Sequence, residues 1–284
     1  MKKILVPTDF SKSAQIAIDV AADIAKKGNG QLILLHVVEE ASGTSFNITG
    51  EVDTSGGWEN KLFTMKLIER SKKQMAKLFE EVKATGVKVK QELRLGTAFH
   101  GMRDIITEQK VDLVVMGTAG HSKLEEMIIG SNTEKVVRHS KCPVLTVHKK
   151  PLTTDFKSIV YATSMSKDEE VFSRIVRNTQ ELYGATVHLV RINTPGNFQR
   201  DAVVKKYMQD FAKKLQLKNF TINIFNDLTE EEGIIYFSDS INADLIAMAT
   251  HGRTGFAHVL AGSIAEEVVS HSKRPVLTFV TKGK

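Results

Sequence analysis

The chain of 284 residues is long enough for one large domain or two ordinary ones, and its 42% hydrophobic and 25% charged residues are those of an average globular protein. The net charge of +6 permits an anionic partner, yet the lysines are spread among glutamates, and no basic cluster interleaved with aromatics points to nucleic acid. The single cysteine, Cys142, excludes an internal disulfide framework and a multi-cysteine metal site, and no segment approaches the ~18 apolar residues of a bilayer span.

In chain order, Ile4–Pro7 reads as a short apolar strand after "MKK", whose apolar stretch is too short for a signal peptide, so a cytoplasmic protein is expected. Residues 11–27 place Ala14, Ala17, Ile18, Ala21, Ile24 and Ala25 on one helical face, and "GNG" ends that helix. "QLILLHVV" is a nearly continuous apolar run, as expected of a strand covered by helices on both faces. The Gly/Ser/Thr-rich stretch "EASGTSFNITGEVDTSGGWEN" reads as a loop before a long amphipathic helix over 60–86. Then come a strand ("VKVKQELRLG"), a helix ("FHGMRDIITEQK"), a strand ("VDLVVMG"), a helix ("SNTEKVVRHS") and a last strand ("CPVLTV"), in which Cys142 reads as a small buried thiol. This alternation predicts a doubly wound parallel α/β sheet.

The rest of the chain repeats the first part. "DLVVMGTAG" at Asp112 matches "DLIAMATHG" at Asp244, and Gly120, Gly130 and Pro143 each recur 132 residues later as Gly252, Gly262 and Pro275. Near the starts, "KKILVPTDFS" aligns with "KSIVYATSMS" at an offset of 155, Ile4 with Ile159. The difference places a longer middle section in the first half. Two tandem domains are therefore expected, residues 1–150 and 151–284, meeting near "HKKPLTTD". Ser166-Lys-Asp-Glu169 carries a capping-box signature at the first helix of the second domain.

Ligands of such sheets bind beyond the carboxyl ends of the strands, where the connection order reverses. Gly117 and Gly120 follow "LVVM", where missing side chains let backbone N–H groups approach an anion. Gly130-Ser131 falls at a helix start, whose free N–H groups and dipole favour phosphate, with Asn132 and Thr133 adding polar contacts. An ordinary strand-to-helix turn with a Ser N-cap explains any one of these residues equally well. The chain has neither a G-x-x-x-x-G-K-[ST] nor a G-x-G-x-x-G motif.

The spacing G-x2-G-x9-G-S (Gly117, Gly120, Gly130, Ser131), with "DLVVMG" before it, "PVLTV" after it and the opening "ILVPTDFS", resembles the universal stress protein family. The resemblance spans both halves and implies a tandem member with a Rossmann-like, adenine nucleotide alpha hydrolase-like fold in each half, related by pseudo-twofold symmetry. It further implies an ATP site in the first half, with the glycines and Ser131 on the phosphates and Mg²⁺ carried in with the nucleotide. The loop of Pro7, Thr8 and Asp9 would lie beside the nucleoside, Val38 would meet adenine through its backbone, and Met116 would line the pocket. Asp9 suits nucleoside hydroxyl or amino groups, and ligand contact is the favoured reading; the alternative is capping of the first helix, and one residue can do both.

The second half departs from this pattern. Asp9 aligns with Ser164, Pro7 with Ala162, Gly117 with Ala249, His36 with Arg191 and Val38 with Asn193, while Gly252, Gly262 and Ser263 keep half of the cradle. Losing the counterpart of Asp9 removes the only carboxylate expected near a nucleoside there, so the second site is read as degenerate. No pair among His121, Lys123, Glu125 and Glu126 has a spacing that identifies a general base, and the nine histidines show no HExxH-like spacing. The leading reading is a regulatory, stress-response ATP-binding protein. The alternatives are a slow ATPase and a scaffold or small-ligand carrier using the second pocket. The family resemblance also implies pairing through the last strands, here Pro143–Val147 with Pro275–Phe279 inside one chain, with a homodimer of whole chains compatible with it.

Overall fold

The structure, a computed structural model, describes residues 1–39, 57–118, 129–251 and 264–281. The first half runs β1 (Lys3–Pro7), α1 (Lys12–Gly28), β2 (Gln31–Val38), α2 (Gly57–Ala84), β3 (Lys88–Leu95), α3 (Ala98–Gln109), β4 (Leu113–Gly117), α4 (Ser131–His139) and β5 (Val144–Val147). The second repeats it as β6 (Ser158–Ala162), a short 3-10 turn (Lys167–Glu169), α5 (Glu170–Tyr183), β7 (Thr186–Asn193), α6 (Asp201–Lys214), β8 (Phe220–Asn226), α7 (Glu230–Ser240), β9 (Leu245–His251), α8 (Ile264–His271) and β10 (Val276–Thr281). Among the described residues no helix is long and apolar enough to cross a membrane.

All ten strands form one sheet in the order β3-β2-β1-β4-β5-β10-β9-β6-β7-β8. Within each half every pairing is parallel, and the halves meet where β10 runs antiparallel to β5 with Leu277 opposite Leu145. Both leucines are almost wholly buried, each contributing roughly 1.5–3 kcal/mol relative to exposure. The core on the α1, α2, α5 and α6 side of the sheet is continuous across this seam, running from Ile4 and Leu34 through Leu145 and Leu277 to Tyr161 and Leu189. The opposite face holds two separate cores, under α3 and α4 in one half and under α7 and α8 in the other.

Repeated local contacts explain why both copies fold alike. Asp112 Oδ2 accepts from the N–H groups of Lys2 and Lys3, and Asp244 Oδ2 accepts from those of Lys157 and Ser158, fixing the fourth strand of each half to the start of its first. Ser140 Oγ accepts from Cys142 N–H and Ser272 Oγ from Arg274 N–H, shaping the turn before each last strand. Across the halves, Arg138 of α4 makes a bidentate pair with Glu266 of α8, at 2.9 and 2.7 Å. Lys27 pairs with Asp155, and Thr154 donates to Asp23 at 3.0 Å, so the connection between halves is tied down on α1.

Candidate functional site

The connection order of the first half reverses between β1 and β4. There a cavity of about 530 Å³ opens at the carboxyl ends of β1, β2 and β4, within the size range of small-molecule sites. Of the residues singled out in the sequence, Pro7, Thr8, Asp9, Val38, Met116, Gly117, Gly130, Ser131, Asn132 and Thr133 all line it. Gly120, Gly252, Gly262 and Ser263, as well as the loop carrying His121, Lys123, Glu125 and Glu126, lie outside the described residues.

The turn after β1 is built by short-range hydrogen bonds. Thr8 N–H donates to Leu35 O at 2.8 Å, Thr8 Oγ1 accepts from Phe10 N–H at 3.0 Å, and Phe10 adopts a left-handed backbone (φ 63°). Asp9 Oδ1 accepts from Ser11 N–H at 3.0 Å, whereas it is Ser11 whose hydroxyl caps α1 by accepting from Ala14 N–H. The capping role offered for Asp9 therefore belongs to Ser11. His36 braces this turn from β2. Its Nδ1 lies 2.7 Å from the Thr8 carbonyl, which can only accept, so Nδ1 carries the proton, and Nε2 faces Ser71 Oγ of α2 at 3.1 Å. Phe10 packs over the imidazole at 4.5 Å between centroids.

On the other side, the first turn of α4 faces the cavity. Gly130 is its N-cap, with φ −67° and ψ 143°, so Ser131 is the first helical residue rather than the cap. Gly130 N–H is already engaged by Thr118 O at 2.7 Å, and Thr133 Oγ1 donates to Gly117 O at 3.0 Å, fastening the helix start to the end of β4. The N–H groups of Ser131, Asn132 and Thr133 belong to a first helical turn, which has no preceding carbonyls of its own to bond. Such a turn is an anion acceptor by geometry and dipole.

Gly117 is glycine for a reason the sequence hides. A Cβ built there would stand 2.0 Å from Ser13 Oγ and 2.8 Å from Ser13 O, because the first turn of α1 crosses directly over the end of β4. Its φ is not in the left-handed region, so the close approach of α1, and not the backbone conformation, is what calls for glycine here. Sequence reading also passed over Leu67 and Ser71 of α2 and Met102 of α3, which close the cavity. Their helical spacing marks an inward face, but only the tertiary arrangement tells what that face meets.

In the second half the equivalent space is divided: a cleft of about 170 Å³ adjoins one of about 410 Å³, and the two share Ser164 and Arg191. Thr163 repeats Thr8, accepting from Met165 N–H, and Met165 repeats the left-handed backbone of Phe10 (φ 60°). Two expectations fail here. Ser166-Lys-Asp-Glu169 does not form a capping box, since Ser166 makes no side-chain cap bond and Glu169 turns inward instead. Nor does the loss of Asp9's counterpart leave the smaller cleft without a carboxylate, because Glu169 and Glu230 both line it. Glu169 is 2% exposed. Its Oε2 accepts from Tyr161 OH at 2.8 Å and Thr163 Oγ1 at 2.6 Å, and its Oε1 from Ser164 N–H at 3.0 Å and Ser164 Oγ at 2.6 Å. Burial, followed by the neighbouring Glu169 charge, holds the Tyr161 hydroxyl well above its ordinary pKa, so it stays a donor. Asn193 Nδ2 donates to Gln199 O at 3.1 Å, closing the wall that Val38 leaves open in the first half.

Among the described residues no group of histidine, cysteine and acidic side chains could hold a metal by itself. The charged side chains that line the first cavity among those residues are Asp9 and Glu39, with His36 between them.

A model of the universal stress protein family matches the chain twice, over residues 1–148 and 155–279. Universal stress protein MJ0577 of Methanocaldococcus jannaschii is 33% identical over 156 residues, 52% of this chain and 96% of that protein. Universal stress protein YxiE of Bacillus subtilis is 34% identical over 149 residues, 51% of this chain and 97% of that one. The crystal structure of a universal stress protein from Archaeoglobus fulgidus superposes with a TM-score of 0.75 at 20% identity, covering 99% of this chain and 96% of the other, a likeness of fold. With two copies of the family's domain spanning nearly its whole length, the chain is a tandem member of the universal stress protein family.

Proposed function

We propose that residues 1–150 form an ATP-binding domain and residues 151–284 a companion domain with a degenerate site, so that one chain binds one adenine nucleotide and acts as a cytoplasmic regulatory protein of the stress response. The observation that carries this reading is the first-half cavity of about 530 Å³, which is lined by both Asp9 and the open first turn of α4. That combination of an acceptor for hydroxyl or amino groups and an array of N–H donors suits a nucleoside joined to phosphates. Thr8 and Pro7 support the nucleoside side, Val38 and Met116 the base, and Ser131, Asn132 and Thr133 the phosphates. The cavity's described lining has no lysine or arginine, so phosphate charge is met by backbone donors and by Mg²⁺ arriving with the nucleotide. Holding and shielding the phosphates, with no base positioned among the described lining residues, supports occupancy-dependent regulation, with weak hydrolysis at most.

Calorimetric titration of the full chain with MgATP tests this. The expected isotherm has one site per chain and a micromolar Kd, and Asp9→Ala weakens it about tenfold through loss of one charge-assisted hydrogen bond. No heat of binding at millimolar nucleotide, or full affinity in Asp9→Ala, refutes the assignment.

A further inference from the structure

We propose that Glu169 is a specificity-determining residue, an internal carboxylate that bars nucleotides from the second-half cleft and so limits each chain to a single bound nucleotide. The proposal rests on the reading of the first-half cavity as a nucleotide site.

The offset between the copies places Glu169 where the first half has Ala14. The flanking geometry agrees, since Ser11 and Ser166 both precede the helix start with extended backbones, and Phe10 and Met165 both take left-handed ones. Ala14 lines the first cavity and leaves room in it, whereas the Glu169 side chain fills the same place in the second. Two further exchanges and one retained residue fit the carboxylate to its place. Val6 is replaced by Tyr161, whose hydroxyl is a donor, and Asp9 by Ser164, which gives two more. Thr8 is retained as Thr163, whose hydroxyl now points at Glu169. The carboxylate has moved from the loop, where Asp9 is exposed, to the helix, where four donors fix it.

That arrangement opposes a nucleotide in two ways. A buried carboxylate already saturated by its own donors has little acceptor capacity left for a ribose or base, and its negative charge repels phosphates brought into the cleft. Gly117→Ala249 is the exchange that draws the eye in the sequence, yet at Gly117 it is Ser13 of α1 that excludes a side chain. Glu169 is the group that occupies the space.

The test is MgATP stoichiometry of the full chain, with thermal melting as the folding control. Wild type is expected to bind one equivalent and Glu169→Ala two, the second surviving Asp9→Ala. The triple variant Tyr161→Phe/Thr163→Val/Glu169→Ala removes the two buried hydroxyls that Glu169→Ala would orphan, leaving only the donors of the exposed Ser164 to water, and is expected to gain the same second site in a fully folded chain. Conversely, Ala14→Glu in the first half should weaken binding there at least tenfold. Two equivalents bound by wild type, or a folded triple variant still restricted to one, overturns the proposal. If wild type binds none, the ATP reading of the first half has failed. In that case one site gained in the triple variant still upholds the role of Glu169, and no gain removes it.

Discussion

Ser131→Pro separates the fold from the phosphate cradle more cleanly than any other change. Ser131 is the first residue of α4, where a missing N–H costs the helix nothing and a proline ring suits the backbone. The residue before a proline is pushed toward extended backbone, and Gly130 already sits at φ −67° and ψ 143°. The melting temperature should therefore move by no more than about 2 °C, the shift expected for roughly 0.5 kcal/mol in a domain of this size. Binding should respond quite differently. One hydrogen bond to a charged group contributes about 1.5–3 kcal/mol, or roughly 10- to 150-fold in Kd, and the lower end applies to a cavity as open to water as this one. Ser131→Ala, which removes the hydroxyl but keeps the N–H, should lose only a few-fold. Titration calorimetry with MgATP alongside thermal melts reads both effects. If Ser131→Pro melts normally and binds normally, the first turn of α4 is not where the phosphates lie. A fall of more than about 5 °C would instead show that α4 does not begin where its backbone angles place it.

Gly117→Ala should cost about 1–3 kcal/mol by thermal or urea unfolding, because the new methyl meets the Ser13 backbone, whereas Ala249→Gly in the second copy should cost under about 1 kcal/mol; equal losses would discard the packing account. Arg138→Ala removes the bidentate contact to Glu266, which is 7% exposed. With the arginine itself half-exposed and screened by solvent, a loss of about 1–2 kcal/mol in chemical denaturation is expected, and no measurable loss would mean the pair holds nothing together. Cys142 is buried, and that burial, followed by the charge of Asp112, pushes its thiol up to about 12, so a thiol reagent should leave native protein unmodified at pH 8 and label it fully in denaturant. Burial lowers the pKa of His148, with the charge of Lys149 adding to it, and burial also lowers that of His188. The unfolded chain then binds these protons first, so stability present above pH 6.5 should fall as the pH drops through the lowered folded-state values. Melting curves of His148→Gln/His188→Gln should be flatter across that window, and an unchanged slope would assign the acid sensitivity to other groups.

The layered α/β architecture was legible because β2 and β4 are buried on both faces and so read as unbroken apolar runs, while α1 carries its alanines and isoleucines at helical spacing. The repeat added what periodicity could not, since matching copies of "PVLT" draw attention to the two last strands. The residues near β1, β4 and α4 that line the first-half cavity stood out through their spacing and the family resemblance. What stayed hidden depends on contacts distant in sequence or on the inward turn of a single side chain. Glu169 carries a local signature for capping, but a buried tyrosine hydroxyl eight positions away competes for it and wins. Gly117 looks like a residue kept open for a ligand, and only the crossing of α1 reveals the serine that would collide with a methyl. The bracing of Thr8 by His36 and Ser71 likewise requires α2 to be laid against β2.

The antiparallel seam also sets a schedule for synthesis. The two edges that remain free in the finished sheet are β3, with alternating charges, and β8, with polar asparagine and threonine, both poor templates for another strand. The apolar edge of β5 is different, for its partner in β10 lies 130 residues further on. At about 5–20 residues per second, a ribosome needs roughly 7–26 s to make that partner. For that interval the first half offers an uncovered "VLTV" edge to any neighbouring nascent chain. Two first halves on the same messenger could pair with each other through this edge before either second half exists, giving a swapped dimer in place of a closed monomer. The rate of translation across α5 to β9 would then influence how many chains close upon themselves.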